Sequence, residues 1–169
     1  MRKSKRETEE TRKRIVEMAA DEFRQHGIVA SGIADLMAAA GLTHGGFYRH
    51  FESKEQLVAE ATAAALDTLL HTLASAASGK KGRNGLKAAL AVYVCAEHRD
   101  NPRDGCPLAP LGSELARSDK RVRNVPTTGF SRMVDILAAH FDQARPAEAR
   151  KRAMATALLP ANVLFHSLR

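Results

Sequence analysis

Apolar residues recur at intervals of three and four along most of the chain, the spacing that gathers them on one face of a helix. From about residue 8 to residue 26, Ile15, Met18, Ala19 and Phe23 form such a stripe, and Gly27 ends it. Two shorter patterned segments follow, one carrying Ile33, Leu36, Met37 and Ala40, the other Phe47 and Phe51, with Gly41 in the turn between them. Ser31 and Thr43 stand where N-caps are expected, and Gly41 suits a left-handed position just past a helix end. Two helices across a tight turn predict a helix-turn-helix over residues 31–51. A longer helix then opens at Ser53, whose spacing to Gln56 is that of a capping box; Leu57, Ala61, Ala65, Leu69 and Leu73 carry its stripe to about Ser78.

Beyond residue 78 the pattern is more broken. The run GKKGRNG, residues 79–85, reads as a loop, and a helix is expected from Leu86 to about His98 with Leu90, Tyr93, Val94 and Glu97 on one face. Asn101, Pro102, Gly105 and Pro107 interrupt, and Leu108, Leu111 and Leu115 restart the helical spacing. A further segment to about Gln143 places Phe130, Met133, Val134, Leu137 and Phe141 for burial, with Pro126 predicting a late start or a kink. Pro146 suits the first position of a last helix through Met154 and Leu158. Nothing repeats internally. The expected fold is all-α: an N-terminal three-helix domain with a helix-turn-helix over residues 1–54, joined by a long helix to a helical ligand-binding and dimerisation domain over residues 55–169.

Composition agrees, being rich in Ala and Leu, poor in aromatics and without Trp. The opening MRKSKR is basic and lacks the apolar core of a secretory signal, so a cytoplasmic protein is expected. It is either an arm that reaches flanking phosphates or a solvated tail. Apolar stretches are interrupted, the last of them by Pro160, and none is expected to reach the roughly 18 residues of a membrane span. The net charge of +7 favours a polyanionic partner. That excess is not focused on the helix-turn-helix, because ten basic residues face eight acidic ones through Lys54, and sixteen face eleven after it. Placement of individual groups must therefore carry the case for DNA.

On the second helix of the motif, adjacent Gly45 and Gly46 each cost about 1 kcal/mol of helix propensity relative to Ala. Absent side chains let a backbone approach another surface closely, and Thr43, His44, Tyr48, Arg49 and His50 around them can hydrogen-bond phosphates or base edges. The alternative is a plain surface helix beside a flexible turn. Lys54 lies in the first turn of the long helix, where it opposes the dipole and a free-amide end is open to a phosphate. Cys95, His98 and Cys106 are three possible metal ligands without a fourth, against the plainer reading of a buried Cys and a surface His. The remaining His residues have no catalytic partner at a recognisable spacing, the Gly-rich loop lacks the Ser or Thr of a phosphate cradle, and no cofactor is expected. The Met and Phe stripe around Phe130 and Met133 reads as core that a sensor can also use as pocket.

With the flanks RIVEMAADEFRQHG and FYRHFESKEQLVAEA included, the chain from Thr11 to about Ala61 resembles the TetR family of one-component transcriptional repressors. The matching residues are Phe23, Gly27, Ala34, Asp35, Ala40, Gly41, Phe47, Tyr48, His50, Phe51, Ser53, Lys54 and Glu55. More loosely, GCPLAPLGSELARSD resembles the loop and helix of one branch of that family. The resemblance implies a homodimer that binds double-stranded operator DNA and is released by a small molecule or reactive electrophile. Tyr48 and Lys54 would be phosphate ligands, Thr43 and His44 base readers, and Arg49 a support. Tyr93, Phe130 and Met133 are candidate ligand contacts. Cys106, expected in the first turn of its helix with Arg103 favouring and Asp104 opposing the thiolate, is either a sensor or packing; Cys95 is expected to be buried and inert. Other readings are an architectural DNA binder without sequence preference, and a helical enzyme with Cys106 as nucleophile. The family usually finishes with two long helices, and after Pro146 only one fits. An altered C-terminus is therefore expected, with a smaller dimer interface or an exposed patch of Leu158, Val163, Leu164, Phe165 and Leu168.

Overall fold

The computed structural model describes residues 5–166, all of whose regular elements are helical. Helix α1 spans Lys5–His26, α2 Ile33–Ala39, α3 Lys54–Ala77, α4 Gly82–Tyr93, α5 Ala96–Asp100, α6 Leu108–Arg117, α7 Lys120–Ala138 and α8 Pro146–His166, with short 3₁₀ helices at His44–Arg49 and Pro102–Asp104. Residues 1–4 of the basic N-terminal segment lie outside the described residues, as do the side chains of Val163, Leu164, Phe165 and Leu168 from the expected C-terminal patch.

The chain folds as two compact units. The first holds the chain through Ala65 together with Pro102–Pro126. It is larger than the 1–54 segment expected, because α6 and the start of α7 return to it. One core unites them: Ile15, Ala19 and Phe23 of α1, Leu36 and Met37 of α2, Phe47, Phe51, Leu57, Ala61, and also Leu111, Leu115 and Val122. The punctuation of α1 and α2 follows the glycines, since Gly27 and Gly41 adopt φ of +87° and +70°, values that L side chains rarely tolerate. At the head of α3, Gln56 N–H donates to Ser53 Oγ at 3.2 Å, while the Gln56 side chain accepts from Glu52 N–H at 2.7 Å. The capping box is thus closed one residue earlier than the pattern implies.

Three local expectations need correction. Ser31 does not cap α2; Gly32 takes that position, and the buried Ser31 hydroxyl donates back to Gly27 O at 2.7 Å. The second helix of the motif is a six-residue 3₁₀ helix rather than an α-helix; two adjacent glycines weaken α-helix in this segment, and 3₁₀ geometry is common in pieces this short. Thr43 is its N-cap by backbone geometry without a side-chain cap bond.

The second unit comprises Leu66–Asn101 with the chain from Thr127 onward. Its core is made by Leu66, Leu69, Leu70 and Leu73 of α3, Ala89 and Tyr93 of α4, Met133, Val134 and Leu137 of α7, and the small residues Ala149, Ala153 and Ala157 of α8. Gly129 lets α7 lie close to α3: a Cβ built there would stand 2.6 Å from Leu66 Cδ1. The expected loop at residues 79–85 is shorter, because α4 already starts at Gly82. Helix α4 stops at Tyr93 and a separate α5 begins at Ala96, where a continuous helix was expected; Val92 and Val94, β-branched and close together, weaken helix there. Val94 is consequently exposed rather than part of the buried face. Helix α7 starts early and runs through Pro126, its first turn capped by Asp119 Oδ1, which accepts from Val122 N–H at 2.8 Å. A single helix, α8, follows Pro146 and continues through Pro160.

The expectation that no stretch reaches spanning length is also corrected. Helix α3 has 24 residues and a window of mean hydropathy 1.2, long and apolar enough by those measures alone, although 56% of that window is buried inside the protein. Such burial is what a core helix of a globular protein shows.

Candidate nucleic-acid interface

The recognition segment, His44–Arg49, is an aromatic base carrying a polar ridge. Phe47 is fully buried and stacks on Phe51 with ring centroids 5.4 Å apart. Fixing that side inward turns Thr43, His44, Gly45, Tyr48 and Arg49 outward, and all five are exposed. Tyr48, 63% exposed, meets the edge of Phe47 at 5.3 Å and of His44 at 6.1 Å, so the ridge is braced by ring contacts rather than left loose. A Cβ at Gly45 would meet nothing within 4 Å, whereas one at Gly46 would touch Met37 Cε at 3.6 Å. Internal packing therefore gives no reason for glycine at 45. His50 is half-buried at the end of the segment.

Lys54 is half-buried, and its Nζ donates to Ile28 O at 2.6 Å. An ammonium has three donors, so the bond to the loop leaves capacity for a phosphate.

The pattern of the sequence does not single out the residues that hold this ridge in place. Arg12 of α1 donates through Nε to His50 O at 3.1 Å, forms a two-pronged ion pair with Glu60 of α3, and lies with its guanidinium carbon 4.5 Å from the Phe51 ring centroid. Arg14 reaches Ala40 O, at the end of α2, at 3.3 Å. Two arginines of α1, two residues apart, thus supply donors to the open carbonyl ends of both short helices. Hydrogen bonding from Arg12 holds the Glu60 carboxyl below its ordinary pKa, against the opposing effect of burial. Reciprocally, the bond to Glu60 raises Arg12.

The four residues expected to sense a ligand are divided between the two units. Tyr93 and Met133 line a small apolar cleft of the second unit with Leu73, Ala89, Leu90, Leu137 and Ala157. Phe130 is half-buried and outside that lining. Cys106 belongs to the first unit, two residues before α6, and is only 3% exposed. Arg24, a buried residue of α1 that pairs with Asp21 at 2.7 Å, is near enough to interact with Cys106 electrostatically. Cys95, expected to be buried, is half-buried, with its Sγ against Val92 O at 3.2 Å. Tyr93 stacks near His98 at 5.0 Å, and burial pushes the His98 imidazole down. Among the described residues no three His, Cys, Asp or Glu side chains converge as metal ligands.

Against known proteins, residues 15–61 match the family profile of bacterial regulatory proteins of the tetR family. The chain is 39% identical over 72 residues to the HTH-type transcriptional regulator TtgR of Pseudomonas putida, covering 43% of this chain and 32% of that protein. It is 34% identical over 92 residues to the HTH-type transcriptional repressor KstR2 of Mycolicibacterium smegmatis, covering 52% and 44%. The matches span less than half the length of these relatives. A TetR transcriptional regulator from Chloroflexus aurantiacus superposes with a TM-score of 0.71 over 96% of this chain and 94% of that one, at 26% identity. Residues 15–61 are thus similar to the tetR family of bacterial regulatory proteins.

Proposed function

We propose that the protein is a cytoplasmic, sequence-specific DNA-binding transcriptional regulator that acts as a homodimer and represses until a small molecule releases it from its operator. The observation that carries this reading is the exposed ridge of Thr43, His44, Tyr48 and Arg49 standing on the buried Phe47. Thr43 and His44 read base edges, Tyr48 and Lys54 contact phosphates, and Gly45 and Gly46 admit the backbone to the groove, with Arg49 and His50 in support. The relatives named as a regulator and a repressor support the same assignment. No catalytic step is assigned to any residue.

The inducer site is the apolar cleft beside Tyr93 and Met133, which must open to admit a ligand. Release follows if the ligand favours a dimer in which the two recognition segments have the wrong separation. Met154 and Leu158, one turn apart on α8 and both exposed, offer an apolar face to a second copy. An electrophile acting through Cys106 would first have to open the core that covers it.

Two substitutions test the division of labour. His44→Ala is expected to relax base preference at one half-site position, at a cost of about 1–3 kcal/mol. Lys54→Ala is expected to weaken all sequences alike and to lower the salt slope of binding by about 1. Titrations at several salt concentrations, on specific and mismatched duplexes, read both; an unchanged slope in Lys54→Ala would assign its ammonium to the Ile28 carbonyl alone, and unchanged preference in His44→Ala would remove it as a base reader. An architectural binder would show no preference to relax.

A further inference from the structure

One peptide group of the loop joining α1 to α2 is clamped from both ends by charged side chains. Ile28 O accepts from Lys54 Nζ at 2.6 Å, and the N–H of the same peptide, on Val29, donates to Glu114 Oε2 at 2.8 Å. A cation thus sits at the oxygen end and a carboxylate at the N–H end, the favourable orientation for a peptide dipole with both contacts charge-assisted. The other carboxylate oxygen of Glu114 occupies the space that a side chain at residue 27 would fill, 2.7 Å from a Cβ built on Gly27. Gly27 is at φ +87°, so glycine is required there both by backbone conformation and by the carboxylate. Val29 itself is 84% exposed, so this end of the loop is restrained by the polar clamp, which adds to the packing of Ile28 on the core and the bond from Ser31 Oγ to Gly27 O.

From this arrangement we infer that Glu114 is a positioning residue for DNA binding: it fixes the Ile28–Val29 peptide and, through α2, the placement of the recognition segment. The inference rests on the proposed DNA-binding reading. The path is short. The loop leads directly into α2, whose Met37 packs against Gly46 of the recognition segment, and Leu42 N–H bonds Met37 O at 2.8 Å. Base contacts lose strength with displacements of about half an ångström, so a loose entry to α2 costs affinity without unfolding the unit. Leu111 and Leu115, on the same helix as Glu114, are buried in the core of this unit, so α6 is a firm base for the clamp.

The test compares Glu114→Ala, which removes the acceptor, with Glu114→Gln, which keeps a carbonyl oxygen at the same reach. In the whole chain, amide exchange at Val29 followed by NMR should quicken about tenfold or more in Glu114→Ala, the loss of one charge-assisted hydrogen bond, and much less in Glu114→Gln. Affinity for the selected operator should fall by a similar factor in Glu114→Ala and recover substantially in Glu114→Gln. The thermal midpoints of all three proteins should stay close together. Unchanged Val29 exchange in Glu114→Ala overturns the clamp, and changed exchange with unchanged operator affinity overturns its role in binding. Should the unmodified protein prefer no DNA sequence, the DNA reading fails, while the exchange comparison still decides whether the clamp exists.

Discussion

Phe47→Ala should abolish DNA binding by unfolding its support. The ring is fully buried, stacks on Phe51 and meets the edge of Tyr48, so truncation leaves a cavity among residues from α1, α2 and α3. Replacing a buried Phe by Ala costs about 3–5 kcal/mol, a large part of what a small domain has in total. Urea denaturation followed by helical circular dichroism should show a lower midpoint, and binding should disappear even where much of the chain stays folded. Tyr48→Ala, by contrast, removes an exposed side chain and should weaken binding with little change in the midpoint. If both variants lost stability equally, the division into buried base and exposed ridge would be wrong.

The second large effect is expected at Arg12. Substitution by Ala removes the donor to His50 O, both prongs of the pair with Glu60 and the contact with the Phe51 ring. It also leaves Glu60 without its strongest partner. Both side chains remain about a third exposed, at 32% and 31%, so water softens the loss. We expect about 1–3 kcal/mol. The effect has a pH signature with a definite sign. Because the folded Glu60 carboxyl is held below its ordinary value, its contribution is fully present above the unfolded Glu pKa of about 4.3 and is lost as pH falls through the lowered folded value. Arg12→Ala should therefore cost most at neutral pH and progressively less below about pH 4. A difference from the unmodified protein that stayed constant into acid would show that packing on Phe51, rather than the ion pair, supplies the effect.

What the sequence reveals and conceals here follows from the range of the interactions. Gly27, Gly41 and Ser53 act on neighbours within a few residues, and their roles are readable from position alone. The buried stripe of Ile15, Ala19, Phe23, Leu57 and Ala61 is equally legible, because its spacing is set by the helix itself. Ser31 misleads, since its hydroxyl has a competing acceptor in Gly27 O, and that choice depends on the fold of the loop. Arg12 with Glu60, and Glu114 with Val29, are joined across 48 and 85 positions, and no periodicity announces such partners. The same limit hides the return of Pro102–Pro126 to the first unit: Leu111 and Leu115 read as one face of a helix, but not which core that face joins. At the segment His44–Arg49 the outward residues are legible from chemistry and the inward ones from apolarity, while its 3₁₀ geometry is not announced by the apolar spacing.

The central claim, that the ridge from Thr43 to Arg49 reads a DNA sequence, is tested most directly by selecting bound duplexes from a random pool with the purified protein. An enriched inverted repeat is expected, with half-sites related by the two-fold axis of a dimer, and loss of preference at one position of each half-site when the selection is repeated with His44→Ala. Enrichment of no sequence over the pool, with binding that depends on salt alone, would contradict it.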